Sequence, residues 1–166
     1  MAVKAIAFDW GHTLMDERRD RHVPIDARPV HLMPGVSEML PHMTLPLALW
    51  ANTRDATEPD VRRWLDRAGF GRFFHWVITS VDAGVRKPAP EFFRYALARG
   101  GLDRLDVLFV ANQLNTDIAG AEAFAIRSVW LSGPAYRSDD DAPCDACPTY
   151  TIHSLDELPA LLSTIP

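Results

Sequence analysis

The chain has 166 residues, 48% of them hydrophobic and 23% charged, with a net charge of −5. This is one domain's length with enough apolar material for a buried core, and the acidic balance argues against nucleic acid or an anionic membrane as an electrostatic partner. No apolar run approaches the ~20 residues of a membrane helix. The first apolar run is short and stops at Asp9, unlike a secretory signal, so the expected setting is cytoplasmic.

In chain order, "VKAIAF" (3–8) is a short, nearly continuous apolar run, followed at once by Asp9, Trp10, Gly11, His12 and Thr13. "PGVSEMLPHM" (34–43) has helical spacing with Pro34 near its start. "LPLALW" (45–50) is a second apolar run. In "ATEPDVRRWLDRAGF" (56–70), Pro59 suits a helix first turn, and Val61, Trp64, Leu65 and Ala68 share one face. "FHWVIT" (74–79) is a third apolar run, and "APEFFRYALARGGL" (89–102) a helix stopped by a glycine pair. "DVLFVA" (106–111), a helical "TDIAGAEAFAI" (116–126), "RSVWL" (127–131) and a helical "SLDELPALL" complete the series. Trp50, Trp64, Trp76 and Trp130 are most simply core residues. Cys144 and Cys147 form a lone CxxC, half of a zinc site or a small redox pair. They sit in the polar, proline-bounded "SDDDAPCDACPTY" with His153 the one further ligand in view, and the segment reads as a loop.

Short apolar runs suit strands buried on both faces. Their alternation with helices predicts one α/β domain over 1–166, a central parallel sheet with helices on both faces. In such sheets ligands gather beyond the carboxyl ends of the strands. Those ends are polar here: Asp9, Asn52 with Thr53, the stretch 79–87 with Lys87, and the stretch 112–117 with Asn112 and Asp117. A strand-end carboxylate can attack phosphorus, a lysine can offset the charge, and a late acidic loop can hold Mg²⁺ through oxygen.

The sequence resembles the haloacid dehalogenase superfamily of aspartate-nucleophile hydrolases. "AIAFDWGHTL" is similar to its first motif, hhhhDxDGT. "LPLALWANT" is similar to the second, "SVDAGVRKPAPEFFRYAL" to the third, and "DVLFVANQLNTDIAGAEAFAIRSVWL" to the fourth. The four occur in order over residues 3–131, and "PTYTIHSLDELPALL" looks like the end of such domains. The resemblance implies a three-layer Rossmann-like fold and a Mg²⁺-dependent phosphomonoesterase working through a phospho-Asp9 intermediate. It implies Asp9 as nucleophile, Thr13 holding the turn, Lys87 as the motif-three lysine, and Asp117 as the second acid of motif four. The metal donors would be Asp9, the Gly11 carbonyl, Asn112 and Asp117. His12 is a candidate stand-in acid. Thr53 is a substitute hydroxyl at the site if its loop shifts, Asn52 a substrate-binding group, and Trp10 a wall of the site. Lys87 would also touch substrate.

Three positions depart from the family pattern. Gly11 stands where phosphatases of the family carry an acid/base aspartate, Ala51 where motif two has Ser or Thr, and Asn112 where the first metal-binding acid belongs. Some active members also have glycine two after the nucleophile. Fewer charged donors imply weakly bound Mg²⁺. About twenty residues separate Leu14 from the helix near Pro34, too few for an inserted cap domain. The expected site is open. It would take a phosphorylated small molecule or a phosphoprotein, or be covered by a second copy in a homo-oligomer. Two alternatives stay open: a catalytically impaired binding or scaffold protein, and dehalogenase-like hydrolysis at Asp9, which needs neither metal nor leaving-group protonation. Asp117 also reads as an ordinary acid in a helix first turn, and Asn112 as a turn residue.

Overall fold

A computed structural model describes residues 2–20, 22–24, 27–137 and 145–165. Cys144 lies outside them, whereas Cys147 is exposed and free. The strands are β1 (Ala5–Phe8), β2 (Leu47–Ala51), β3 (Phe74–Thr79), β4 (Val107–Ala111), β5 (Arg127–Leu131) and β6 (Tyr150–Ile152). They form one six-stranded sheet in the order β3-β2-β1-β4-β5-β6, and each pairing is parallel. The order reverses between β1 and β4, and a sheet of this kind opens its crevice at that switch point.

Side chains alternate across the sheet with period two. Ile6, Phe8, Leu47, Leu49 and Ala51 enter one core layer with α1 (Val36–Met39), α2 (Glu58–Arg67) and α6 (Leu158–Leu162). Ala7, Ala48, Trp50 and Phe109 enter the other with α4 (Pro90–Gly100) and α5 (Ala119–Ala123). A short α3 (Ser80–Ala83) follows β3 directly. This is the parallel sheet with helices on both faces expected from the alternating runs, and the three-layer Rossmann-like arrangement that the resemblance implies. Trp50 and Trp64 are fully buried, while Trp76 and Trp130 are half-buried at the margin of the second layer. Among the described residues no helix is long and apolar enough to cross a membrane.

Local chemistry explains the helix ends. Thr57 and Asp60 form a capping box at the start of α2, and Gly101 (φ 62) ends α4 in the left-handed region that a Cβ disfavours. Three stretches differ from expectation. The 34–43 helix shrinks to one α turn and a 3₁₀ turn, because Pro41 has no N–H to continue the ladder. The 116–126 helix begins earlier, as a π turn over Leu114–Ile118. The tail contributes β6, an edge strand too short for its three residues to show a period. Between β1 and α1 the described residues carry only two isolated bridges, Gly11 to Met15 and Met15 to Leu32.

Candidate active site

Asp9 leaves β1 at the switch point. Its N–H donates to the Val110 carbonyl of β4 (2.9 Å), which fixes the carboxylate level with the end of the neighbouring strand. Lys87 arrives from the turn before α4 and is joined to Pro88 by a cis peptide. Its ammonium has three N–H donors and three acceptors: Asp9 Oδ1 at 2.7 Å, Asp117 Oδ1 at 2.8 Å and the Trp50 carbonyl at 2.7 Å. Rings of Phe109 and Phe92 flank it at 5.1 and 5.9 Å. Lys87 is 3% exposed, Asp117 2% and Asp9 7%, so the cluster is shielded from water.

The backbone under Lys87 is held by Asn52. The Asn52 amide donates to the Lys87 carbonyl (3.0 Å), and the Lys87 N–H donates to Asn52 Oδ1 (2.9 Å). Asp117 sits on the π turn, which packs closely on the same segment. A Cβ on Gly120 would lie 2.8 Å from the Phe93 ring and 3.0 Å from Pro88 Cα. Only glycine permits that approach. Thr13 Oγ1 lies 3.3 Å from Asp9 Oδ2 and 3.2 Å from Asn112 Oδ1, one proton between two acceptors. Asn112 donates its amide to the Tyr136 carbonyl (2.7 Å), which turns Oδ1 inward, while the Trp130 indole donates to the Asn112 carbonyl (3.0 Å).

Two buried carboxylates share one ammonium. Burial pushes the Asp117 carboxyl up, as does the nearby Asp9 charge, and Lys87 pulls it back only in part, leaving it at about 7. For Lys87, burial acts downward, but the charges of Asp117 and Asp9 outweigh it and the net shift is upward. Two carboxylates face one ammonium here, so with both ionised the cluster would carry one negative charge more than Lys87 offsets. Its donors, the Asp9 and Asp117 carboxylates and Asn112 Oδ1, are all oxygen, as a hard divalent cation prefers. The residues present therefore fit Mg²⁺ in donor type and in charge.

The structure brings Asp9, Lys87, Asp117, Asn112 and Thr13 together. Other residues that the sequence reading assigned to the site have surroundings and partners of their own. Trp10 is 3% exposed and packs edge-on against Trp64 (centroids 4.6 Å apart). It is a core residue rather than a wall of the site, because the chain turns its indole down beneath α2. Asn52 spends its side chain on the Lys87 backbone, which gives it a positioning role. Thr53 has its hydroxyl engaged, donating to the Ala56 carbonyl (2.6 Å), and its N–H donates to Ser80 Oγ (2.9 Å). Ala51 ends β2 fully buried and offers no hydroxyl of its own. His12 is 5% exposed and has a left-handed backbone (φ 59), uncommon for a residue with a Cβ. Gly11 lies in the bridge to Met15, whose carbonyl accepts from His12 N–H (2.7 Å).

Sequence reasoning missed the supports. Ser80 Oγ donates to the Thr53 carbonyl (3.0 Å), and Arg86 Nη1 donates to the same oxygen (2.8 Å). Both lie in the polar stretch 79–87, where strand-end chemistry could have pointed to them. Tyr136 comes from a 3₁₀ turn with no chemical motif, and nothing local marks it.

The chain is similar in sequence and in fold to known proteins. The HAD-hydrolase-like family model matches residues 84–158. The chain is 36% identical over 100 residues to glyceraldehyde 3-phosphate phosphatase of Methanocaldococcus jannaschii, a match covering 59% of this chain and 42% of that protein. The chain thus spans less than half the length of that relative. An uncharacterized protein from Listeria monocytogenes serotype 4b superposes with TM-score 0.81 at 24% identity, over 98% of this chain and 100% of the other. The magnesium-bound putative HAD-hydrolase of Bacillus subtilis superposes with TM-score 0.76 at 17% identity, over 98% and 99%.

Proposed function

We propose that the chain is a Mg²⁺-dependent phosphomonoesterase of the haloacid dehalogenase superfamily that works through Asp9, a reading supported by the family model matched over residues 84–158 and by the similarity to glyceraldehyde 3-phosphate phosphatase. The observation carrying this reading is the buried Lys87 ammonium bridging Asp9 and Asp117 at 2.7 and 2.8 Å at the sheet's switch point. That arrangement offers a strand-end carboxylate and an anchored positive charge where an anionic substrate would enter.

In this reading the Asp9 carboxylate attacks phosphorus. The new oxygen–phosphorus bond forms as the bond to the leaving oxygen breaks, and the leaving oxygen takes up a proton. Water then attacks phosphorus, loses a proton, and the bond to Asp9 breaks, returning the carboxylate and inorganic phosphate. Lys87 holds the carboxylate in place and offsets charge on the phosphoryl group. Thr13 and Asn112 fix the opposite side of Asp9. Mg²⁺, held by Asp9, the Gly11 carbonyl, Asn112 and Asp117, would supply charge neutralisation of the phosphoryl oxygens.

The short connection from β1 to α1 supports a single cap-less domain with an open site. Phosphorylated small molecules are the substrate class that the similarity to glyceraldehyde 3-phosphate phosphatase favours, in a cytoplasmic setting. A panel of phosphomonoesters assayed with and without Mg²⁺ tests the proposal. Turnover that needs Mg²⁺ and is lost in Asp9→Asn is expected. Turnover that survives Asp9→Asn contradicts it.

A further inference from the structure

Gly11 and Glu17 compete for one volume. A Cβ built on Gly11 falls 2.5 Å from Glu17 Oε2 and 3.1 Å from Glu17 Cδ. Gly11 is not among the glycines with positive φ, so its own backbone would accept a side chain. What excludes one is the carboxylate of a residue six positions downstream, folded back beside the turn that leaves Asp9.

Glu17 is also held there. Arg28 Nη1 donates to Glu17 Oε1 (2.9 Å), and Arg28 itself is anchored by two bonds to the Val23 carbonyl, at 3.2 Å from Nε and 3.0 Å from Nη2. The Arg28 side chain is 11% exposed. This fixes one oxygen of Glu17 and leaves Oε2, the atom nearest Gly11, with no hydrogen bond among the described residues. The neighbouring carboxylate differs: Arg18 occupies both oxygens of Asp16, at 2.7 and 2.6 Å. Within the site, Lys87 engages both Asp9 and Asp117.

We propose, on the reading of this chain as a phosphomonoesterase, that Glu17 is the proton-transfer carboxylate for hydrolysis of phospho-Asp9. It reaches into the space that the absent side chain at position 11 leaves open. As water attacks phosphorus, its oxygen–phosphorus bond forms and the bond from phosphorus to Asp9 breaks. The proton from water goes to Glu17 Oε2 and then to solvent. Arg28 is a positioning residue that acts through Glu17.

Glu17→Gln tests this with little change of shape, since the amide oxygen still accepts from Arg28. The measurement is rapid-quench kinetics with an activated aryl phosphate, whose leaving group needs no proton. Wild-type protein is run first: failure to form phospho-Asp9 there overturns the phosphomonoesterase reading itself, and this proposal with it. In Glu17→Gln the account expects the first turnover at the wild-type rate and later turnovers slowed about 10²-fold, as loss of a general base does. The phosphoenzyme should accumulate. Unchanged later turnovers, or both phases slowed in parallel as a structural defect would do, overturn the proposal. The shared volume gives a second arm. Gly11→Asp added to Glu17→Ala should recover about tenfold of the lost turnover, because the aspartate enters the vacated space. No gain from the aspartate overturns it.

Discussion

The sheet's carboxyl edge joins two regions built on opposite terms. Inside, Asp9, Lys87 and Asp117 are nearly without solvent contact, and each ammonium proton has an acceptor. Outside, the connection from Asp16 to His31 is tied by ion pairs nearer to water: Asp16 with Arg18, Glu17 with Arg28, and Asp20 with His31. A buried charge that loses its partner costs several kcal/mol, whereas an exposed pair is worth about 1 kcal/mol or less. The inner constellation therefore cannot be altered one residue at a time, and the outer loop can. The departure at Gly11 borders this tolerant side, since Glu17 of the outer connection folds against it. Ala51 and Asn112 depart from the pattern inside, and Asn112 is the more informative. It lies inside, and a carboxylate there would be a third negative group beside a single ammonium.

The comparison breaks most visibly at Lys87. Lys87→Met leaves two buried carboxylates facing each other and should cost about 3–5 kcal/mol of stability. Denaturant titration measures it, and a loss below about 1 kcal/mol would mean the cluster is not buried as described. Adding Asp117→Asn should return part of the loss.

Asn112 sharpens the same point through Mg²⁺. With two carboxylates as donors, affinity should be weak, about millimolar, because ligand charge tunes binding of hard cations. Asn112→Asp should tighten it about tenfold. Titration calorimetry reads both, and micromolar binding by the unaltered chain would contradict the account.

The smallest effect belongs to the outer loop. Arg18 holds the Asp16 carboxyl down at about 2, mainly through a direct hydrogen bond. A lowered carboxylate contributes stability that is complete above its unfolded value and is lost as pH falls through the folded one. Asp16→Asn should therefore flatten the fall in stability between about pH 4 and 2, by no more than about 1 kcal/mol for so exposed a partner. Thermal melts across that range test it.

The layering was legible in the sequence because strands buried on both faces write their pattern locally, as "FHWVIT" and "RSVWL" do. The charged residues at strand ends were legible too, since polar groups terminate those runs. What stayed hidden depends on contacts distant in sequence. Nothing around Trp10 tells that α2 receives its indole, and nothing around Asn52 tells that its amide is consumed by the Lys87 backbone 35 residues away. The fold of Glu17 over Gly11 is set by Arg28, itself anchored on Val23, an arrangement without period or motif. The π turn under Asp117 likewise answers to Gly120 packing on Pro88 and Phe93, not to helix propensity.

The central claim, that Asp9 accepts the phosphoryl group, is tested most directly by acid-quenching the protein during turnover of an aryl phosphate and mapping the adduct by peptide mass spectrometry. The account predicts one phosphoryl group on the peptide bearing Asp9, absent in Asp9→Asn and in protein denatured before substrate is added. Turnover with no adduct on that peptide, or an adduct that persists in Asp9→Asn, would contradict it.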